Sequence, residues 1–255
     1  MSKILVSVDG PRADLRLNRP ETLNAMDFDV FDGLVASIQE IAVKEDVRVL
    51  VVSGRGGSFS SGIDVSSFGG IAEGPGAMIA RAQAGYRALT ALPIPTIAKV
   101  EGHALGAGLQ LALACDLRIV AADARMGLLE TNYGLIPDLG GSTLLPRLVG
   151  PSRAKKMIWL AEQVDGEEAH RIGLADMVVP ADQLRAAVDD LAAALLDRPA
   201  TATRAVKSVV DAAHQGDVAA GMDREAVAQE RCMTAPDFAE TMMRGLQRRK
   251  ERYSG

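Results

Sequence analysis

Only two cysteines, Cys115 and Cys232, occur in 255 residues, and Cys115 lies in an apolar run, so the expectation is buried thiols in a reducing, cytoplasmic compartment rather than a disulfide framework. The three histidines, His103, His170 and His214, are scattered with no second ligand at a usable interval, which leaves no metal-binding spacing. Lys and Arg are outnumbered, 28 against 33 acids, and both signs are mixed along the chain, so neither nucleic acid nor an anionic membrane is expected as a partner. No apolar run reaches membrane-spanning length, and the opening MSKILVSVDG turns polar too soon for a secretion signal. Aromatic residues are sparse, and the single tryptophan, Trp159, is expected in the core. The letters show no repeat of 20 to 50 residues.

What is present is a chain 48% hydrophobic, enough for one full core with an appendage. Short apolar runs at 4–8 and 13–17 read as a hairpin across 9–11. Asp27 is placed to cap a helix whose stripe is Phe31, Leu34, Ile38 and Ile41, and 47–52 reads as a strand buried on both faces. A glycine- and serine-rich loop over 53–68 follows, with Phe59, Ile63 and Val65 turned against simple solvation. Helices are expected over 77–92, 142–148, from a Ser152 cap to 163, and over 165–172, with a short strand at 177–179. Beyond residue 180 only helices follow. Leu184, Val188, Leu191 and Leu195 form one stripe, Val206, Val209, Val210 and Ala213 another, and two more helices run over 218–234 and 236–252. Their alanine-rich composition suits packing on one another or on a second subunit.

Chemistry concentrates between Gly102 and Gly141. A strand-like lead-in at 95–100 meets a turn with Gly102, Gly106 and Gly108, and Leu109, Ala112 and Leu113 then recur at helical spacing. The first turn of such a helix offers unpaired N–H groups and the positive dipole end, so a negative oxygen fits there. Ile63, between Gly62 and Asp64, offers a second unobstructed N–H. Glu130 and Asp138 lie in apolar company just downstream, a costly placement for carboxylates that suggests acid/base work. Other readings stay open. The glycines fit close packing, with the acids as caps or solvated groups; a dinucleotide turn would want a third glycine where Leu111 stands. The basic cluster Arg248, Arg249, Lys250 and Arg252 suits a solvated terminal helix or a phosphate-rich ligand.

Four segments, in order, resemble the crotonase superfamily, the enoyl-CoA hydratase/isomerase family: LNRPETLNAM (17–26), GRGGSFSSGIDVSSF (54–68), the stretch 102–141 and DFAETMMRGLQRRKERY (237–253). The resemblance covers essentially the whole chain. It implies an α/β (α+β) fold, a spiral of repeated ββα units over 1–195 followed by a helical trimerisation region over 196–255, assembled as a homotrimer or a hexamer. It also implies an acyl-CoA substrate, with coenzyme A part of that substrate and no separate cofactor. On this chain it assigns the oxyanion-holding N–H groups to Ile63 and Ala107, and coenzyme A contacts to Thr22, Leu23, Asn24, Gly62, Asp64 and Arg248.

One position departs from the hydratase pattern. The family's hydratases use two glutamates to activate water; Glu130 matches the second, but Gln110 stands at the first, and an amide holds water without accepting its proton. Glu130 resembles the single glutamate of enoyl-CoA isomerases, and Asp138 the aspartate of dienoyl-CoA isomerases. The resemblance therefore implies double-bond isomerisation, with Glu130 and Asp138 exchanging protons and Gln110 positioning substrate or water. The alternatives are an enoyl-CoA hydratase, an idle acyl-CoA-binding subunit, and a serine hydrolase of a related fold.

Overall fold

The computed structural model describes residues 2–64 and 74–213, together with 236, 240 and 243. The expected hairpin forms: β1 (Ile4–Asp9) pairs antiparallel with β2 (Arg12–Leu17), with Ile4 opposite Leu17. Asp27 then caps α1 (Phe28–Ala42) by accepting from the Val30 N–H, and the anticipated stripe of Phe31, Leu34, Ile38 and Ile41 is buried. β3 (Val49–Gly54) pairs parallel with β2, and its VLVVS run is buried throughout, as a strand covered on both faces requires.

The middle of the chain alternates between two sheets. β4 (Thr96–Val100) continues the first sheet, β5 (His103–Leu105) opens a second, and α3 (Ala107–Leu113) follows. The pattern repeats with β6 (Leu117–Ala121), β7 (Arg125–Gly127) and α4 (Gly141–Val149). These are two successive ββα turns, and an isolated parallel bridge from Ser60 to Ala104 gives the loop after β3 the same relation to the second sheet. With β8 (Gln163–Asp165) and β9 (Met177–Val179), the sheets read β1-β2-β3-β4-β6-β9 and β5-β7-β8. α2 (Pro75–Thr90) packs on α1, and α7 (Leu184–Leu196) packs on β3, β4 and β6.

Several expectations need correction. Trp159 is not in the core but 70% exposed. It ends α5 (Pro151–Trp159), whose buried face is set by Ala154 and Met157; two residues past Met157, a helix has turned about 200° and points outward. Ser152 does not cap this helix, because Pro151 occupies its first position after Gly150. The helix also stops short of 163, since Ala161 takes a left-handed conformation and 163–165 joins the second sheet. α6 (Gly166–Arg171) is capped by Asp165, whose carboxylate accepts from the Glu168 N–H. His103, next to the expected turn residue Gly102, is in β5.

α8 (Ala200–Ala213) buries none of its residues: Val206 and Val210 are exposed, and polar contacts tie it down, among them the Lys207–Asp116 ion pair. The expected helices over 218–234 and 236–252, apart from Pro236, Glu240 and Met243, lie outside the described residues, as do Arg248, Cys232, His214 and the end of the 53–68 loop. Among the described residues no helix is long and apolar enough to cross a membrane, and no group of three His, Cys, Asp or Glu side chains is placed to hold a metal ion.

One buried cation fastens the outer strand. Arg118 on β6 donates to the carbonyls of Leu174, Cys115 and Asp116 and to the carboxylate of Asp176, which in turn accepts from the Arg118 N–H. Arg118→Met keeps much of the stem but leaves buried carbonyls unpaired, so it should cost at least about 2 kcal/mol, read as a lower urea midpoint.

Candidate active site

The geometry is built from backbone first. α3 starts at Gly106, whose φ of 50° and ψ of −121° lie outside the helical region, and no side chain caps it. The Ala107 N–H is therefore one of the unpaired donors of a helix start. Two strand-like bonds hold the turn in place: Leu105 N–H donates to Ser60 C=O at 3.0 Å and Gly106 N–H to Gly127 C=O at 2.8 Å.

The second donor is oriented by a single parallel bridge between Met26 and Ile63. Met26 bonds to the residues flanking Ile63, its N–H donating to Gly62 C=O at 2.8 Å and its C=O accepting from Asp64 N–H at 2.9 Å. In a parallel pair this turns the bracketed residue's own N–H away from the partner strand. The loop also lies directly on the start of α3. A Cβ on Gly62 would sit 2.9 Å from the Leu105 oxygen and 3.7 Å from the Ala107 nitrogen, and one on Gly108 would sit 2.5 Å from the Ser60 oxygen. Both positions must be glycine for the two donors to share one space.

The turn at 20–25 clamps this loop. Leu23 C=O accepts from Ser61 N–H, Thr22 C=O accepts from Ser61 Oγ, and Ser60 Oγ donates to Asn24 C=O. Asn24, expected to contact coenzyme A, turns its side chain inward instead: it is 1% exposed, its amide donating to Arg55 and Ser58 carbonyls and its oxygen accepting from Arg19 N–H. A left-handed backbone at Leu23 and Asn24 makes that inward turn possible, and Leu23 is left exposed. Thr22 is half-buried, Gly62 is buried, and the Asp64 carboxylate pairs with Arg19 at 3.0 Å.

Both predicted acids are tied to α3 through Gln110, Glu130 by its side chain and Asp138 by the residue after it. Glu130 opens a short 3-10 turn, is 8% exposed, and places Oε1 3.4 Å from where a Cβ on Gly106 would be. Gln110, 1% exposed on α3, donates from Nε2 to Glu130 Oε1 at 2.7 Å. Its Oε1 accepts from the N–H groups of Leu139 (2.7 Å) and Gly141 (3.0 Å), so the amide orientation is fixed by its partners and the turn carrying Asp138 is tied to α3. Glu130 Oε2 is buried with no hydrogen-bond partner among the described residues.

Burial raises the Glu130 pKa, the Gln110 bond and backbone bonds oppose the rise, and the Asp138 charge adds to it. Burial likewise raises Asp138, which is half-buried. Cys115 takes no part; burial pushes its thiol up to about 12. Two contributors were missed in the letters, because α2 reads there as an ordinary core helix. Gln83 Nε2 donates to Asp138 C=O at 2.6 Å, and Tyr86 reaches Ala107 C=O at 3.0 Å.

The family model for enoyl-CoA hydratase/isomerase matches residues 12–255, and the chain belongs to that family. It is 33% identical to a crotonyl-CoA hydratase of Syntrophomonas wolfei over 256 residues, covering 98% of this chain and 97% of that protein. The solved enoyl-CoA hydratase of Bacillus anthracis superposes with a TM-score of 0.90 at 30% identity, over 98% of this chain and 96% of that one. A Thermobifida fusca protein described as an enoyl-CoA hydratase, solved with acetoacetyl-CoA, gives 0.84 at 38% identity, over 89% and 93% of the two chains. The α/β architecture above is thus the crotonase fold.

A raised carboxyl pKa fixes the sign of a stability effect. The contribution of Glu130 to folding is fully present below its unfolded value near 4.5 and is lost as pH rises through the higher folded value. Glu130→Gln keeps an acceptor for Gln110 and removes the charge. Its Tm should exceed the parent's at about pH 8 and match it at about pH 4, a difference that thermal melts across pH will show or refute.

Proposed function

We propose that this member of the enoyl-CoA hydratase/isomerase family moves a double bond along an enoyl- or dienoyl-CoA. The observation that carries the reading is the amide at Gln110. Its oxygen accepts from two backbone N–H groups and one of its two N–H bonds goes to Glu130, and an amide does not accept a proton from water, so no second base stands beside Glu130 at that position.

The chemistry needs a stabilised enolate and two proton positions. The thioester oxygen takes up negative charge as the α-proton leaves, and the N–H groups of Ile63 and Ala107 face it together. Each such donor is worth roughly 3 kcal/mol in the transition state, and the helix end adds its dipole without rearranging. Glu130 Oε2, unpartnered and buried, accepts the α-proton; the C–H electron pair moves into the enolate. Asp138, held protonated more readily by burial, returns a proton at C4 or, for a diene, at C6 as the electrons flow back and the thioester carbonyl re-forms. The acids exchange a proton to close the cycle.

Coenzyme A is part of the substrate, and no separate cofactor enters any step. The Thermobifida protein solved with acetoacetyl-CoA supports a CoA thioester as the substrate here, and we place it along Thr22, Leu23, Gly62 and Asp64. By the same proposal Arg248, which lies outside the described residues, is the phosphate contact, and the working assembly is a homotrimer or hexamer. The names of the relatives favour the second reading, an enoyl-CoA hydratase in which Gln110 orients water.

Offered 3-enoyl-, 3,5-dienoyl- and 2-enoyl-CoA in turn, the protein should convert the first or second, seen as a change in conjugated absorbance, and hydrate the third far more slowly. Dominant hydration would overturn the isomerase reading. Glu130→Gln should lower kcat by about 100-fold or more, and Asp138→Asn by about 10-fold or more, with KM little changed. Gln110→Glu should raise the ratio of hydration to isomerisation, because it supplies the missing second carboxylate; product analysis by chromatography reads that ratio.

A further inference from the structure

Helix α2 carries a buried phenol that the proton transfers do not use. Tyr86 is 3% exposed, with its ring beside Phe31. Its hydroxyl lies 3.0 Å from Ala107 C=O and 3.3 Å from Met26 Sδ. Ala107 supplies one of the two oxyanion N–H groups, and Met26 is the residue whose backbone brackets the other, at Ile63. One hydroxyl therefore touches both residues on which the paired donors depend.

We propose that Tyr86 is a positioning residue for the enolate-binding amides, its O–H holding the first turn of α3 through Ala107 C=O so that the Ala107 N–H stays aligned with that of Ile63. The proposal rests on the enolate chemistry argued above. α3 is only seven residues long, starts from a non-helical Gly106 and has no side-chain cap; the peptide carrying the Ala107 N–H is held by Gln110 N–H at the Gly106 carbonyl (3.0 Å), and the Tyr86 hydroxyl adds a bond at the carbonyl of the next peptide. The carbonyl is the better acceptor of the one available hydrogen, with the sulfur alongside it. Burial, together with the nearby Asp138 and Glu130 charges, holds the phenol well above its usual pKa, which keeps it a donor throughout the working range. An amide displaced by a fraction of an ångström still binds the ground-state carbonyl but loses much of its grip on the developing oxyanion.

Tyr86→Phe removes the hydroxyl and keeps the ring. It should lower kcat about 10-fold with KM within about twofold, slow exchange of the α-proton of a saturated acyl-CoA into heavy water by a similar factor, and shrink the red shift of the hexadienoyl-CoA band on binding. A merely structural role would lower the urea midpoint while leaving the band shift of the folded protein unchanged, and that result overturns the proposal. Site-specific 3-fluorotyrosine at position 86, a stronger donor of nearly the same size, should enlarge the band shift; an unchanged or smaller shift counts against the proposal even if Tyr86→Phe fails to fold. Absence of both α-proton exchange and isomerisation in the parent protein sinks the functional reading itself, whereas a parent that exchanges beside an unaltered Tyr86→Phe sinks the positioning role alone.

Discussion

Two stretches of main chain meet where neither tolerates a side chain, and the rest of the site depends on that meeting. The loop at Ser60–Gly62 rests on the first turn of α3, with ideal Cβ positions on Gly62 and Gly108 falling within 3 Å of backbone oxygen. Contacts that close are made by peptide groups alone. The parallel bridge at Met26 then turns the Ile63 N–H away from the Met26 strand, on the side of the loop that rests on the helix start with its unpaired donors. In the proposed chemistry neither amide would move when negative charge arrives, and such pre-arrangement is the source of the stabilisation an oxyanion site provides.

That architecture constrains where acids can stand. Gly106 has no Cβ, and Glu130 Oε1 occupies the adjacent space. The carboxylate is thereby brought beside the Ala107 amide while being taken out of water, which raises its pKa. An ionised group so placed needs at least one strong donor, and Gln110 supplies it. The same amide uses its oxygen to hold the turn after Asp138, so one neutral side chain fixes the relation of both acids to α3. A Cβ on Gly141 would fall 3.0 Å from that oxygen, which explains a glycine at the start of α4.

Elements built on local periodicity were legible in the letters: the capped α1 with its four-residue stripe, the doubly buried β3 and the hairpin at the start all follow from spacing and turn residues. Ile63, Ala107, Glu130 and Asp138 could be singled out as candidates in the same way, because unobstructed amides and acids in apolar company are properties of short stretches; their roles belong to the proposed function. Pairings between distant segments were not legible. The three-residue strands β5, β7 and β8 carry too few residues for a period-two pattern, and nothing local to Asn24 shows that Arg55 and Ser58 carbonyls wait for its amide. Trp159 misled in the opposite way. Size alone suggested the core, while the helical phase set by Ala154 and Met157 directs it outward.

The division of labour inside the site separates what is common to the scaffold from what selects the reaction. In the proposed chemistry backbone amides stabilise an enolate whatever follows, and they are fixed by glycines and a strand bridge that side-chain changes at 110, 130 or 138 do not touch. The fate of the enolate is set by how many carboxylates surround it and how far apart they lie. Two carboxylates at the 2.7 Å that separates Gln110 Nε2 from Glu130 Oε1 would repel unless a proton or water lay between them, an arrangement suited to handling water. With an amide there, the repulsion is replaced by a hydrogen bond and Glu130 keeps a single open oxygen, while in the proposed reaction the second acid, Asp138, acts farther along the acyl chain. A base at one carbon and an acid farther along favour moving a proton over adding a hydroxyl.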